Sequence, residues 1–302
     1  MSQADLLSRL PSVQGTYKPL EPLSRHTWFA VGGPAEVMFI PQDENDLSHF
    51  LQQCPSDIPL FTIGGGSNLL VRDGGLDGVT IKLDSPAFKS YHLQDNILTC
   101  GCGLRNIELQ KIMLKHSIGG LEFLSGIPGC IGGSVKTNAG CFGHEVKEFI
   151  TSATIFDRQG HRQTISVDDL HLSYRHSRFS SDWIITSISF HVQPDSPQHI
   201  LEIITDQKNR RLKSQPHNAR TAGSTFKNPE GHKAWELIKQ SGCDHLSCGG
   251  AQVSDIHCNF LINNGSATAA DIESLGEQII KQVQAHTSVT LEWEVNRIGK
   301  KL

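Results

Sequence analysis

Two stretches of the sequence combine residue types that can grip an anion with little help from charged side chains. Ile63-Gly64-Gly65-Gly66-Ser67-Asn68-Leu69-Leu70-Val71 joins two apolar runs. Consecutive glycines let several backbone N–H groups converge on one point, and a Ser and an Asn add hydrogen bonds. That suits a pyrophosphate. The stretch is no P-loop, because G-x-x-x-x-G-K-[ST] is missing from the chain. It is no complete Rossmann fingerprint either, since Gly64-x-Gly66 is followed by Leu69 where a third glycine is required. The plainer alternative is a tight turn between strands. The second stretch runs from Ser125 to Gly143 and holds Gly126, Ile127, Pro128, Gly129, Gly132, Gly133, Asn138 and Gly140. Its glycine density argues against a helix and for close backbone approach to a flat or extended ligand. Two such loops together suggest one large ligand held at two places, such as a dinucleotide.

These loops need a frame. Residues 35–40 read as a strand stopped by Pro41, and 43–53 as a helix with Leu47, Phe50 and Leu51 at helical spacing. Strands are expected at 59–63 and 78–83, which gives a βαβ beginning around the first glycine loop. Further strands are expected at 97–100, 152–157, 163–167 and 183–192, and a helix at 104–116. Pro194-Asp195-Ser196-Pro197 is the best domain boundary. Beyond it the pattern turns helical, at 198–213, 233–240 and 268–284. The last opens with the capping box Thr268-x-x-Asp271 and carries the stripe Ile272, Leu275, Ile279, Val283. Residues 291–295 read as a final strand.

Composition narrows the function. The chain has 302 residues, with 27 Lys+Arg against 31 Asp+Glu and a net charge of −4. That balance offers no electrostatic footprint for nucleic acid or an anionic membrane. At 37% hydrophobic and 19% charged, the chain reads as globular, with about two domains. No apolar run is long enough to span a bilayer. The first residues lack the pattern of a secretory signal, so a cytoplasmic protein is expected. Eight Cys without a C-x-x-C read as reduced, mostly buried thiols. Cys243, His245, Cys248, His257 and Cys258 match no standard zinc spacing, so no metal is expected.

Six motifs, in order, resemble the UDP-N-acetylenolpyruvoylglucosamine reductase family, the flavoenzymes that complete UDP-N-acetylmuramate for peptidoglycan. They are Ile63 to Leu70, Gly126-Ile127-Pro128-Gly129, Asn138-Ala139-Gly140, Tyr174-Arg175-x-Ser177-x-Phe179, Ala222-Gly223-Ser224-x-Phe226-Lys227-Asn228-Pro229 and Leu291-Glu292-x-Glu294-Val295. The resemblance runs from about Thr27 to Gly299. It implies an α/β (α+β) chain with a vanillyl-alcohol-oxidase/PCMH-type FAD-binding fold of two subdomains, plus a C-terminal α+β substrate domain. The implied division is a segment 1–26, an FAD domain 27–194 (subdomains about 27–84 and 85–194) and a substrate domain 195–302. FAD would be held non-covalently by Gly64, Gly65, Gly66, Ser67, Asn68, Leu69, Gly126, Ile127, Pro128, Gly129, Gly132, Gly133, Asn138 and Gly140. NADPH would be the reductant and a UDP-sugar the substrate.

The implied reaction delivers a hydride to the terminal carbon of an enolpyruvyl double bond and a proton to its neighbour. It needs an electrophilic stabiliser and an acid. On the family pattern Arg175 is the stabiliser, because a guanidinium stays charged and its fork suits a carboxylate. Ser224 is the proton donor, with Thr225 the adjacent hydroxyl. Glu294 works with Arg175 at the enolate, and in a strand it would share a face with Glu292. Asn228 would meet the substrate's diphosphate or sugar, and Lys227, Arg210, Arg211 and Lys213 are plausible phosphate partners. Two departures stand out. No Tyr follows Tyr174, so the chain resembles the shorter form of the enzyme, without a Tyr-bearing loop. After Val295 it has Asn296 and Arg297 where the family often has Arg directly. Two other readings stay open: another FAD oxidoreductase of the same fold acting on a hydroxy acid or alcohol, and a nucleotide-binding module without activity.

Overall fold

The computed structural model describes residues 3–175, 177–180 and 182–302. The chain gathers into two compact units that interleave in sequence. The first takes the chain up to Pro19, Glu36–Gly65 and Gly78–Asn209; the second takes Leu20–Ala35, Gly66–Asp77 and Arg210–Leu302. This differs from a division at 194–197. Pro197 opens the helix Pro197–Ser214 instead of separating domains, and the units change inside that helix. A first-turn proline has no N–H to lose to the helix and its fixed φ suits the start.

In the first unit a five-stranded antiparallel sheet runs in the spatial order Arg162–Ser166, Ile150–Phe156, Ile184–His191, Ile97–Gly101, Tyr91–Gln94. The first two are joined by a turn in which Asp157 Oδ1 accepts from the N–H groups of Gln159 and His161, both at 2.9 Å. Gly160 supplies the positive φ of +78°. A second sheet has the order Thr16–Pro22, Pro34–Ile40, Leu76–Lys82, Leu60–Ile63, the last two parallel. Against it packs the helix Glu44–Gln53, capped where Asp43 accepts from the Asp46 N–H at 2.9 Å. Leu47 and Phe50 are fully buried, and Phe50 meets Phe39 at 4.5 Å between ring centroids. Each such side chain contributes about 1.5–3 kcal/mol of burial. Asp46 is buried as well, and its carboxylate accepts from Gln14, Gly15 and Gln42 N–H, so the charge is not left unpaired.

The second glycine stretch contains a short helix, Ile131–Lys136, where none was expected. Its formation is tertiary in origin. Ile131, Ser134 and Val135 are buried, and the Gly132 N–H donates to Cys102 O at 2.9 Å. A β-carbon on Gly132 would stand 2.9 Å from Cys102 Cβ, so the small residue that weakens the helix is what lets it sit there. The expected helix 104–116 starts later, as Leu109–His116 after a 3-10 turn over Asn106–Glu108.

The second unit is built on the helix Ala269–Thr287. Its capping box is Thr268 with Asp271, and Asp73 accepts from the Ala269 and Ala270 N–H groups. Ile272, Leu275, Ile279 and Val283 are fully buried. A three-stranded antiparallel sheet, Ser247–Cys248, Ala251–Val253, Leu261–Asn263, belongs to the same unit. Residues 291–295 form no strand. Their N–H groups go to a loop instead, with Glu294 and Val295 both donating to Thr225 O. The strand comes next, Asn296–Ile298, and pairs in parallel with Leu69–Val71.

Gly276 sits where the Trp293 indole crosses the helix, and a β-carbon there would overlap the ring. Gly276→Ala therefore sets a helix-propensity gain of up to ~1 kcal/mol against an overpacking cost of about 1–3 kcal/mol. We expect a lower thermal midpoint in calorimetry. A rise would show that the ring moves aside at no cost.

Candidate active site

In the first unit the two glycine stretches meet main chain to main chain. A β-carbon on Gly65 would lie 2.8 Å from Gly129 Cα, and one on Gly64 would lie 2.8 Å from Cys130 Sγ. Asn106, fully buried, holds the second stretch in shape. Its Nδ2 donates to Ile127 O at 3.0 Å and to Ser134 Oγ at 2.7 Å. Lys82 Nζ donates to Gly64 O at 3.2 Å, and burial pushes this ammonium below its ordinary pKa. Among the described residues, none accepts from the N–H of Gly65 or of Gly66. A loop with no room for a β-carbon and with unspent N–H donors fits the anionic middle of a dinucleotide such as FAD.

In the second unit four distant stretches are laced together. Gly66, with φ +66°, passes so close to His26 O that a β-carbon would land on it, and Gly66 O accepts from Trp28 N–H at 3.0 Å. Asn68 Nδ2 donates to Glu294 O at 3.1 Å. Glu294 N–H donates to Thr225 O at 2.8 Å. The side chain of Asn68 thus fixes the carboxylate-bearing segment, a task that its sequence context did not suggest.

The two neighbouring hydroxyls are now distinct. Thr225 is fully buried, and its Oγ1 accepts from Leu261 N–H at 3.3 Å. Ser224 is half-buried and follows Gly223, beside which a β-carbon would meet nothing within 4 Å. Glu292 and Glu294 also part company. Glu292 is exposed and pairs with Lys227 Nζ at 3.6 Å, whereas Glu294 is half-buried. Asn228 Oδ1 accepts from Ala234 N–H at 3.0 Å, at the start of the helix Ala234–Gln240. Arg210 and Lys213 lie exposed on the last turns of Pro197–Ser214. Arg297 is engaged by Glu273 and Glu277 and stacks over Trp293, with its guanidinium carbon 4.6 Å from the ring centroid.

Arg175 belongs to the first unit and has φ +53°, in the left-handed region. Its Nη2 donates to Gly140 O at 2.9 Å, its Nη1 lies 4.0 Å from Glu145 Oε1, and its guanidinium stacks over Tyr174 at 5.0 Å. Asn138 is fully buried and its amide is spent. Nδ2 donates to Glu145 Oε2 and Ser173 O, and Oδ1 accepts from Lys147 N–H. Asn138 is thus a brace between the glycine stretch and the arginine segment. Glu145 belongs to no motif of the sequence. The available signal was a carboxylate placed just after an anion-gripping, glycine-rich run.

None of the eight cysteines forms a disulfide. No three His, Cys, Asp or Glu groups among the described residues gather as a metal site, and no described helix is long and apolar enough to cross a membrane.

Comparisons with known proteins agree with this geometry. A family model described as FAD binding domain matches residues 35–166. Another, described as UDP-N-acetylenolpyruvoylglucosamine reductase, C-terminal domain, matches residues 215–298. A UDP-N-acetylenolpyruvoylglucosamine reductase of Bradyrhizobium sp. (strain ORS 278) is 43% identical, covering 98% of this chain and 97% of its own. That of Rhodopseudomonas palustris (strain BisB5) is 45% identical over 98% and 95%. The crystal structure of UDP-N-acetylenolpyruvylglucosamine reductase (MurB) from Thermus caldophilus superposes with a TM-score of 0.81 at 29% identity, covering 95% of this chain and 99% of that one. Fold and site thus define a flavoprotein with an FAD-binding α+β fold of the vanillyl-alcohol-oxidase type, followed by a second α+β portion. Within that class, the chain belongs to the UDP-N-acetylenolpyruvoylglucosamine reductase family.

Proposed function

We infer that the chain is a flavin-dependent UDP-N-acetylmuramate dehydrogenase, an oxidoreductase of peptidoglycan synthesis. It converts UDP-N-acetylglucosamine enolpyruvate to UDP-N-acetylmuramate, with NADPH as reductant. The observation that carries this is family membership over nearly the whole chain, joined to a glycine cradle that suits FAD. Bound FAD supplies a hydride, drawn from NADPH, to the terminal carbon of the enolpyruvyl double bond.

The protein's residues do the rest. Gly64, Gly65, Gly66, Ser67, Leu69, Gly126, Ile127, Pro128, Gly129, Gly132, Gly133 and Gly140 line the cofactor through their main chain, while Asn68 and Asn138 shape that lining from behind. Arg175 binds the substrate carboxylate and stabilises the charge that spreads into it as hydride arrives. Ser224 gives the proton to the carbon beside the ether oxygen. A serine hydroxyl is a weak acid and suffices only for a strongly basic carbanion held in line. Its half-buried position, against the buried and already bonded Thr225, supports this choice. Glu294 takes the third catalytic role, at the enolate. Asn228, with Oδ1 spent on a helix N-terminus, turns Nδ2 to the diphosphate or sugar, and Lys227, Arg210 and Lys213 supply positive charge for the phosphates. Eight cysteines without a disulfide suit a reducing cytoplasm.

The test is an absorption spectrum of the purified protein. A flavin band should bleach anaerobically with NADPH and recover when UDP-N-acetylglucosamine enolpyruvate is added. A colourless protein, or a band that recovers only with oxygen, would overturn the reading.

A further inference from the structure

Arg175 occupies a backbone region that a side-chain-bearing residue adopts only at a cost. Something must hold that backbone and aim the fork. We propose that Glu145 is the positioning residue for Arg175, setting the guanidinium's direction through charge without touching the substrate. The proposal rests on the catalytic role given above to Arg175.

The arrangement is built from one hairpin. Gly140 and Glu145 are directly paired across the two short antiparallel strands Gly140–Cys141 and His144–Glu145. Gly140 offers its carbonyl to Arg175 Nη2 at 2.9 Å, and Glu145 offers Oε1 to Nη1 at 4.0 Å. Two anchors of the fork therefore sit on the same rung, at a spacing fixed by the ladder. The other carboxylate oxygen is held elsewhere. Oε2 accepts from Asn138 Nδ2 at 3.1 Å and lies 2.9 Å from Lys147 Nζ. With Oε2 tied down, the carboxylate cannot swing into a bidentate pair that would occupy the fork. It orients the guanidinium from 4.0 Å. Both side chains are only about a fifth exposed, at 20% and 19%, so solvent screens the pair little.

The same network holds the backbone. Asn138 Nδ2 also donates to Ser173 O at 2.9 Å, and Ser177 Oγ donates to Lys136 O at 2.6 Å. The residues on either side of Arg175 are thus fastened to the glycine stretch. A carboxylate that only stabilised the hairpin would need Lys147 and Asn138 but not the approach to Arg175. That is the rival to exclude.

A double-mutant cycle separates the two. Glu145→Gln, Arg175→Ala and the double variant are purified with FAD, and the flavin is reduced chemically beforehand. The single-turnover rate of its reoxidation by saturating UDP-N-acetylglucosamine enolpyruvate is then read per bound FAD under anaerobic conditions. We expect Glu145→Gln to slow reoxidation by about tenfold or more in the wild-type background. In the Arg175→Ala background we expect it to change the rate by less than about twofold, since a residue that acts through another has nothing left to act on. A wild-type rate for Glu145→Gln would overturn the proposal, and so would equal slowing in both backgrounds. Arg175→Ala at the wild-type rate would instead sink the role of Arg175 itself. Should Glu145→Gln fail to hold flavin, Glu145→Asp enters the same cycle under the same criterion.

Discussion

Ser224→Ala is expected to let NADPH bleach the flavin at the wild-type rate and to slow its recovery with the enolpyruvyl substrate by about 10²–10⁴-fold. The asymmetry follows from where the proton is needed. Reduction of the flavin passes a hydride and asks nothing of Ser224. Reoxidation leaves a carbanion that must be protonated on one face, and only a hydroxyl held in line does this without delay. The backbone that holds it is fixed on both sides, by the bridge from Ser224 to Phe260 and by Thr225 N–H donating to Asn259 O at 2.7 Å. Loss of the hydroxyl should therefore not disturb the loop, and the substrate's dissociation constant should move little. Stopped-flow absorbance in the two half-reactions reads both rates. Recovery at the wild-type rate would remove Ser224 from the mechanism and return attention to a water molecule.

Gly65→Ala is expected to yield a folded but colourless protein, with FAD affinity weakened by about 100-fold or more, equivalent to ~2.7 kcal/mol. The added β-carbon would stand 2.8 Å from Gly129 Cα, 3.1 Å from Gly129 C and 3.3 Å from Cys130 N. All three are main-chain atoms, so no flexible side chain can yield. The two glycine stretches must part, and the N–H groups between them lose their convergence. The sheets and helices of the first unit draw on a buried cluster that reaches well beyond the two stretches, to Phe39, Phe50 and Phe190, so they should survive. Flavin absorbance after purification and far-UV circular dichroism check the two halves of the prediction. A yellow protein of unchanged affinity would show that the cradle lies elsewhere.

Much of the frame was legible because the signals were local. The helix Ala269–Thr287 announces itself by Thr268, Asp271 and an unbroken apolar stripe. The strands Ile97–Gly101 and Ile184–His191 announce themselves by β-branched runs. The expectations that failed depend on tertiary partners. Ile131–Lys136 is a helix because Cys102 and buried neighbours hold it, against the propensity of two glycines. Residues 291–295 have a strand's composition, yet their pairing with residues 225–227 stops at the single antiparallel bridge between Trp293 and Phe226, and Thr225 O takes two of their N–H groups. The candidate site divides in the same way. Glycine loops can be read from sequence because backbone exposure needs only composition. The tasks of Asn68, Asn138 and Glu145 could not be read, because each depends on a partner from another stretch of chain.

The parallel pairing of Leu69–Val71 with Asn296–Ile298 also bears on biosynthesis. The strand that follows the first glycine loop leaves the ribosome early, and its sheet partner emerges more than two hundred residues later. Arg72 Nη1, which donates to Gly299 O across a separation of 227 positions, waits equally long. A nascent chain that stops short of Asn296 presents an unpaired apolar edge, the kind of surface that chaperones cover and that neighbouring chains adhere to. Long-range closure of this sort is slow. Translation must therefore run nearly to Gly299 before the strand Leu69–Val71 gains its sheet partner.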